Sequence, residues 1–298
     1  MYTKLIEPSE LAALLQRAVQ PSPLAVVDCR FELARPDWGA GAYAAGHIPN
    51  AVYAHLDRDL SGPVSPQSGR HPLPSPEAFS ATMSRLGVDA GTQVVAYDQG
   101  NGAHAARLWW LLRWAGHTQV AVLDGGYAAW QQAGLPVSTE STVRAARFFE
   151  AHPNRASVVT TADLEKLVSG ADLASGRVAL VDARGPDRFA GQNETLDPVA
   201  GHVPGARNHP FVRNVDAQGR FLAAEELHRQ WLATLAGTAP SNAVAMCGSG
   251  VTACHNLLAL EIAGLPGARL YCGSWSEWIR DPARPVATGV TAANDPNF

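Results

Sequence analysis

A cysteine set in the run Cys247-Gly248-Ser249-Gly250-Val251-Thr252-Ala253 is the residue of this chain best placed to do chemistry. An apolar run, Ala243-Val244-Ala245-Met246, precedes it, and a helical pattern over 254–263 closes on Gly264. The thiol therefore falls at a strand end, in a tight loop that feeds a helix N-terminus. Gly248 and Gly250 let that loop curl until successive N–H groups point inward, and with the helix behind them they stabilise negative charge. A thiolate or a persulfide fits such a nest. Gly248, Gly250, Val251 and Thr252 are accordingly read as the residues that cradle the reacting sulfur. The alternative, a buried inert thiol, is the commoner fate of cysteine, but this context favours a reactive one. Thr252 is read as a local hydrogen-bonding residue of the loop and not as a nucleophile.

The elements around this loop occur twice. Val26-Val27-Asp28-Cys29-Arg30 returns as Leu180-Val181-Asp182-Ala183-Arg184, and Gly46-His47-Ile48-Pro49 returns as Gly201-His202-Val203-Pro204. Leu123-Asp124-Gly125-Gly126-Tyr127 returns as Tyr271-Cys272-Gly273-Ser274-Trp275. In that register Asp98 stands where Cys247 stands, so one half alone can perform thiol chemistry. A repeat of this length marks a duplicated domain and not a solenoid. His47, His202, Asp28 and Asp182 are present in both halves, with or without the cysteine, and are read as structural.

At 298 residues the chain suits two domains, each large enough to bury a core. The boundaries expected are 1–140 for a first, non-catalytic domain, 141–157 for a linker pinned by Phe148 and Phe149, and 158–298 for the catalytic domain. A net charge of -4 gives no reason to expect nucleic acid or an anionic membrane as partner. The longest apolar stretch, at Trp109-Trp110-Leu111-Leu112, is interrupted by Arg113 and is too short to span a bilayer. The first residues lack a basic start and an apolar core of signal-peptide type, so the expected location is the cytoplasm. Cys29, Cys247, Cys254 and Cys272 show neither C-x-x-C spacing nor a disulfide framework, which argues against a metal site. No cofactor is expected.

Short apolar runs at 25–27, 93–97, 120–123, 177–181 and 243–246 alternate with helical patterns at 76–86, 105–115, 224–235 and 254–263. That alternation predicts an α/β fold of two tandem domains, each a doubly wound parallel sheet with helices on both faces. Functional residues of such sheets gather at the C-terminal strand ends, where Asp28, Asp98, Asp182 and Cys247 fall.

The repeated Gly-His-Ile/Val-Pro, the Asp-x-Arg pair, Gly-Ser-Trp-Ser-Glu-Trp at 273–278 and the Cys-Gly-Ser-Gly-Val-Thr loop together resemble the two-domain sulfurtransferases of the rhodanese superfamily. The resemblance covers both halves and points to the 3-mercaptopyruvate branch, since thiosulfate-preferring members place a cationic Arg-Lys pair after the cysteine. It implies a catalytic Cys247 that carries sulfur as a persulfide, and a proton-handling triad of Ser249 with Asp57 and His71 from the first half. It implies that Arg188 binds the donor's carboxylate. A second family arginine has no counterpart here, where the segment reads Asn193-Glu194-Thr195-Leu196-Asp197, and this keeps thiosulfate open as donor. The sulfur acceptor implied is a thiol such as thioredoxin or a small thiol, or cyanide. A cysteine-dependent phosphatase would need an arginine closing the loop, and none follows Cys247 before Arg269. A binding module without catalysis is the remaining alternative, opposed by the intact cysteine loop.

Overall fold

The computed structural model describes residues 1–17 and 23–289. They form two compact units. The first comprises Met1–Gly62, Leu73–Asn154 and Val215–Phe221; the second comprises Pro63–Pro72, Arg155–Asn214 and the chain from Leu222 on. A strap of each half is grouped with the other half's unit, and residues 141–154 of the expected linker go with the first unit.

The strands of the first unit are β1 (Leu5–Ile6), β2 (Leu24–Asp28), β3 (Val52–Tyr53), β4 (Gln93–Tyr97) and β5 (Val120–Leu123). Those of the second are β6 (Val158–Val159), β7 (Ala179–Asp182), β8 (Arg207–Asn208), β9 (Ala243–Met246) and β10 (Arg269–Tyr271). Their orders, β1-β5-β4-β2-β3 and β6-β10-β9-β7-β8, are the same order twice, and neighbouring strands in both sheets run parallel. The central strands β2, β5, β7 and β9 are buried at every position, as both-face helix cover requires. In register, Val27 pairs with Ala96 and Val181 with Ala245. Asp28 and Asp182 end their strands, and Asp98 and Cys247 follow theirs directly.

Helix boundaries follow local chemistry. Ser75 Oγ accepts from the Ala78 N–H at 3.1 Å and opens the helix Pro76–Arg85. Thr160 and Asp163 form a reciprocal capping box for the helix Thr161–Ser169. Ala224–Leu235 is helical as predicted. The helix Ala105–Trp114 is buried at every position except Arg113, Arg107 included. The helix Trp38–Ala45 has no sequence signature, because Gly39, Gly41 and four alanines give it no apolar stripe. The strands of two residues are too short to show periodicity at all.

The repeated motifs are the brackets of each sheet. Arg30 forks onto Asp28 at 2.6 Å and reaches the Gly46 carbonyl at 2.7 Å; Arg184 forks onto Asp182 at 2.7 Å and reaches the Gly201 carbonyl at 2.8 Å. His47 stacks on Tyr43 and His202 on Phe189, each with Nδ1 held 2.8 Å from a backbone carbonyl. Both histidines are structural. Trp109, Trp110, Trp275 and Trp278 are core residues. Of the linker aromatics, Phe149 packs against Phe79, whereas Phe148 is 79% exposed and pins nothing. No helix among the described residues is long and apolar enough to cross a membrane.

Candidate active site

Cys247 leaves β9 into a loop that feeds the helix Thr252–Ile262. Its side chain is buried, and the Gly250 N–H donates to Sγ at 3.1 Å. Gly250 adopts φ +79, and a Cβ there would run into the Cys272 carbonyl oxygen, so glycine is required twice over. The loop is held in shape by the turn after β10. Trp275 N–H donates to the Cys247 carbonyl at 3.0 Å, Ser276 N–H donates to the Gly248 carbonyl at 2.9 Å, and the Cys247 N–H donates to Ser274 Oγ at 3.0 Å. This explains the tryptophan-rich motif near the C-terminus: its backbone clamps the cysteine loop. Val251 is buried at the helix start and Thr252 is its first residue.

The strap Pro63–Pro72 belongs to this same unit. Gly69 N–H donates to Glu277 and Arg70 N–H to Ser276 Oγ at 3.1 Å, so the tryptophan motif fixes strap and loop together. The outcome is that His71 Nδ1 lies 2.7 Å from Ser249 Oγ, with both residues buried. The pair expected from the resemblance is thus assembled. Asp57 lies in the first unit, in the turn Leu56–Asp59, with its N–H donating to His55 Nδ1 at 3.1 Å.

Three arginines line the loop. The Nη2 atoms of Arg70 and Arg188 and Cδ of Arg184 all come within 4 Å of where a Gly248 side chain would begin. Arg188 donates from Nε and Nη2 to Glu194, at 3.0 and 2.8 Å, and from Nη2 to Asp197 at 3.2 Å. Arg70 pairs with the other oxygen of Asp197. Arg184 is 3% exposed; its Nη1 has no hydrogen bond and sits 3.6 Å from Glu194. Burial opposes ionisation of Glu194, yet the bonds from Arg188 and from the Leu196 N–H outweigh it and hold its carboxyl below the ordinary range. For Asp197 burial wins over Arg70 and Arg188, and its carboxyl is raised.

Arg70 is the residue beside the cysteine loop that sequence reasoning missed. It stands beside His71 in Gly69-Arg70-His71-Pro72, and its adjacency to that histidine was the available signal. It also answers the missing second arginine: the cation comes from the strap, and the segment expected to carry it brings a carboxylate, Asp197, instead. The Gly-Ser-Gly loop is therefore flanked by guanidinium groups, each of them paired with a carboxylate.

The other thiols are placed differently. Cys254 donates from the helix to the Gly250 carbonyl at 3.3 Å, and Cys272 to the His71 carbonyl at 3.6 Å. Cys29 is buried, and burial followed by the Asp28 charge pushes its thiol well up. None of the four cysteines forms a disulfide. No cluster of three or more metal-ligating side chains occurs among the described residues.

In the first unit the equivalent loop holds Asp98, 2% exposed, whose carboxylate accepts from four backbone N–H groups. Gly100 and Gly102 each donate at 3.0 Å, His104 at 2.8 Å and Ala105 at 3.3 Å. In this unit the loop is thus filled by the chain's own carboxylate, where the second unit has a thiol that accepts the Gly250 N–H.

Comparison with known proteins agrees with this geometry. The model of the rhodanese-like domain matches residues 7–133 and 160–281. A Pseudomonas aeruginosa protein named probable 3-mercaptopyruvate sulfurtransferase is 48% identical over 289 residues, covering 96% of this chain and 98% of its own length. The thiosulfate sulfurtransferase of Rattus norvegicus is 31% identical, covering 94% of this chain and 93% of its own. The crystal structure of SseA from Escherichia coli, a study of 3-mercaptopyruvate sulfotransferases, matches with a TM-score of 0.78 at 32% identity over 92% of this chain and 100% of that one. With two matched domains, a duplicated parallel sheet and a cysteine nest in the second copy, this chain belongs to the rhodanese family.

Proposed function

We propose that the protein is a sulfurtransferase that takes sulfur from 3-mercaptopyruvate onto Cys247 as a persulfide and passes it to a thiol acceptor, such as thioredoxin or a small thiol, or to cyanide. The observation that carries this reading is Cys247 in its N–H nest with the Ser249–His71 pair at 2.7 Å beside it. The Cys247 thiolate attacks the donor's sulfur, a Cys–S–SH bond forms, and the C–S bond breaks with its electron pair left on the pyruvate enolate. That carbanion equivalent takes up one proton. Ser249, hydrogen-bonded to His71, is the group placed to deliver it, and Asp57 is proposed to complete the relay. Arg188 and Arg70 hold the donor's carboxylate, which a guanidinium fork suits geometrically. Gly248, Gly250, Val251 and Thr252 present the backbone that accommodates the persulfide charge. The absence of disulfides suits a reducing compartment, and the cytoplasm is the location proposed.

A second reading, thiosulfate as donor, is favoured by the arginines around Gly248, since sulfite would then leave as an anion with no enolate to protonate. Two substitutions separate the donors. Arg188→Ala is expected to raise KM for mercaptopyruvate about 10- to 150-fold, the worth of a charge-assisted hydrogen bond. Ser249→Ala is expected to lower kcat for mercaptopyruvate about 100-fold or more while thiosulfate turnover barely changes. Steady-state kinetics with both donors decide between the readings: equal losses of Ser249→Ala with the two donors remove the proton-delivery role, and a wild type with higher kcat/KM for thiosulfate makes that the donor.

A further inference from the structure

We propose that Asp197 determines donor choice: it is a resident carboxylate that neutralises the anion seat made by Arg70 and Arg188 and so disfavours dianionic donors relative to the monocarboxylate mercaptopyruvate. The proposal rests on the sulfurtransferase reading for its substrates and on the following geometry for its substance. The Asp197 side chain is 3% exposed and bridges the two guanidinium groups, one oxygen to each. Both guanidinium groups present Nη2 to Gly248, the residue after the nucleophile. The bridging carboxylate is therefore held on the same two forks that face the residue after the nucleophile.

The charge count makes the consequence definite. Around the loop stand three guanidinium groups, Arg70, Arg184 and Arg188, and three carboxylates, Asp182, Glu194 and Asp197. Asp182 is committed to Arg184 by a fork that both domains share, and Glu194 lies across Arg188 and Arg184. Asp197 is the remaining charge, and it brings the side chains around Cys247 to neutrality before the thiolate itself is counted. A neutral set still offers directed N–H donors to one carboxylate but carries no net positive charge to offset a second negative one. Removing one unit of negative charge at this place favours any anion, and a dianion gains twice the interaction energy that a monoanion gains. Specificity set by a charge against the wrong ligand is a common device at binding sites.

Asp197→Asn keeps the shape and removes the charge. Its kcat/KM for thiosulfate is expected to rise about 10- to 100-fold and that for mercaptopyruvate about 3- to 10-fold, so the donor ratio moves toward thiosulfate. Asp197→Ser, a second neutral variant, is expected to move the ratio the same way. Asp197→Glu, which keeps the charge, is expected to retain the wild-type ratio. Calorimetric titration of thiosulfate into full-length Cys247→Ser protein, with and without Asp197→Asn, reads the seat without turnover and is expected to show binding about 10- to 100-fold tighter in the double variant. An unchanged donor ratio in both neutral variants overturns the proposal. So does a rise in KM for both donors, which would make Asp197 a strut that positions the arginines. If wild type turns over neither donor, the functional reading fails, and the thiosulfate titration still decides the role of Asp197.

Discussion

Cys247→Ser is expected to reduce sulfurtransferase turnover by at least about 10⁴-fold, because the hydroxyl cannot carry sulfur between donor and acceptor. The matching positive result is an intact-protein mass that rises by about 32 Da, one sulfur atom, when wild type meets donor in the absence of acceptor. Peptide mapping should place that mass on Cys247. The nest is why this thiol is singled out: its sulfur accepts the Gly250 N–H, whereas Cys254 and Cys272 spend their own S–H groups on backbone carbonyls. Cys29→Ser, Cys254→Ser and Cys272→Ser should keep most of the activity. A persulfide mapped to any of those three would show that the reacting thiol has been misassigned.

Asp98→Ala is expected to destabilise the protein by about 3 kcal/mol or more, since four N–H groups, those of Gly102 and Ala105 buried, lose the charged acceptor they share. For a unit of this size that corresponds to a fall in melting temperature of about 6–12 °C. The activity of the folded fraction should be retained, because the loss falls on the unit without the cysteine. Asp98→Asn should recover only part of the stability: one oxygen can serve Gly100 and Gly102, but its NH₂ would face the N–H groups of His104 and Ala105. A melting temperature unchanged in Asp98→Ala would mean that the loop does not depend on a resident anion. Differential scanning calorimetry with single-turnover assays below the transition reads both quantities.

The cysteine nest was legible in the sequence because every part of it is local: strand, glycines and helix are consecutive. The duplicated sheet was legible for the same reason, with Val94-Val95-Ala96 and Ala243-Val244-Ala245 read as buried strands from short apolar runs. The arginine seat was not. Arg70 and Asp197 meet although 127 positions separate them, and nothing in the neighbourhood of either announces the other. The resemblance placed His71 in the first half, which is true of the chain but not of the compact unit. Phe148 and Phe149 show the finer limit: two adjacent identical residues on an extended segment point to opposite sides, and only one is buried.

The exchanged straps bear on the order in which the molecule can be completed as it is synthesised. The first unit has its sheet by residue 123, yet its Asp124 carboxylate takes the Phe221 N–H at 2.9 Å, and Glu7 takes Arg220 at 2.7 Å. Those partners leave the ribosome only after nearly a hundred further residues have been added. During that interval the first unit waits with an unfinished rim, while the segment that will carry Arg70 and His71 to the cysteine is already made and has no loop to join. Domains that fold one at a time as they emerge leave no such debt. Here the nascent chain must keep both straps available until the second sheet exists, and the rim of the first unit cannot close before residue 221 has been made.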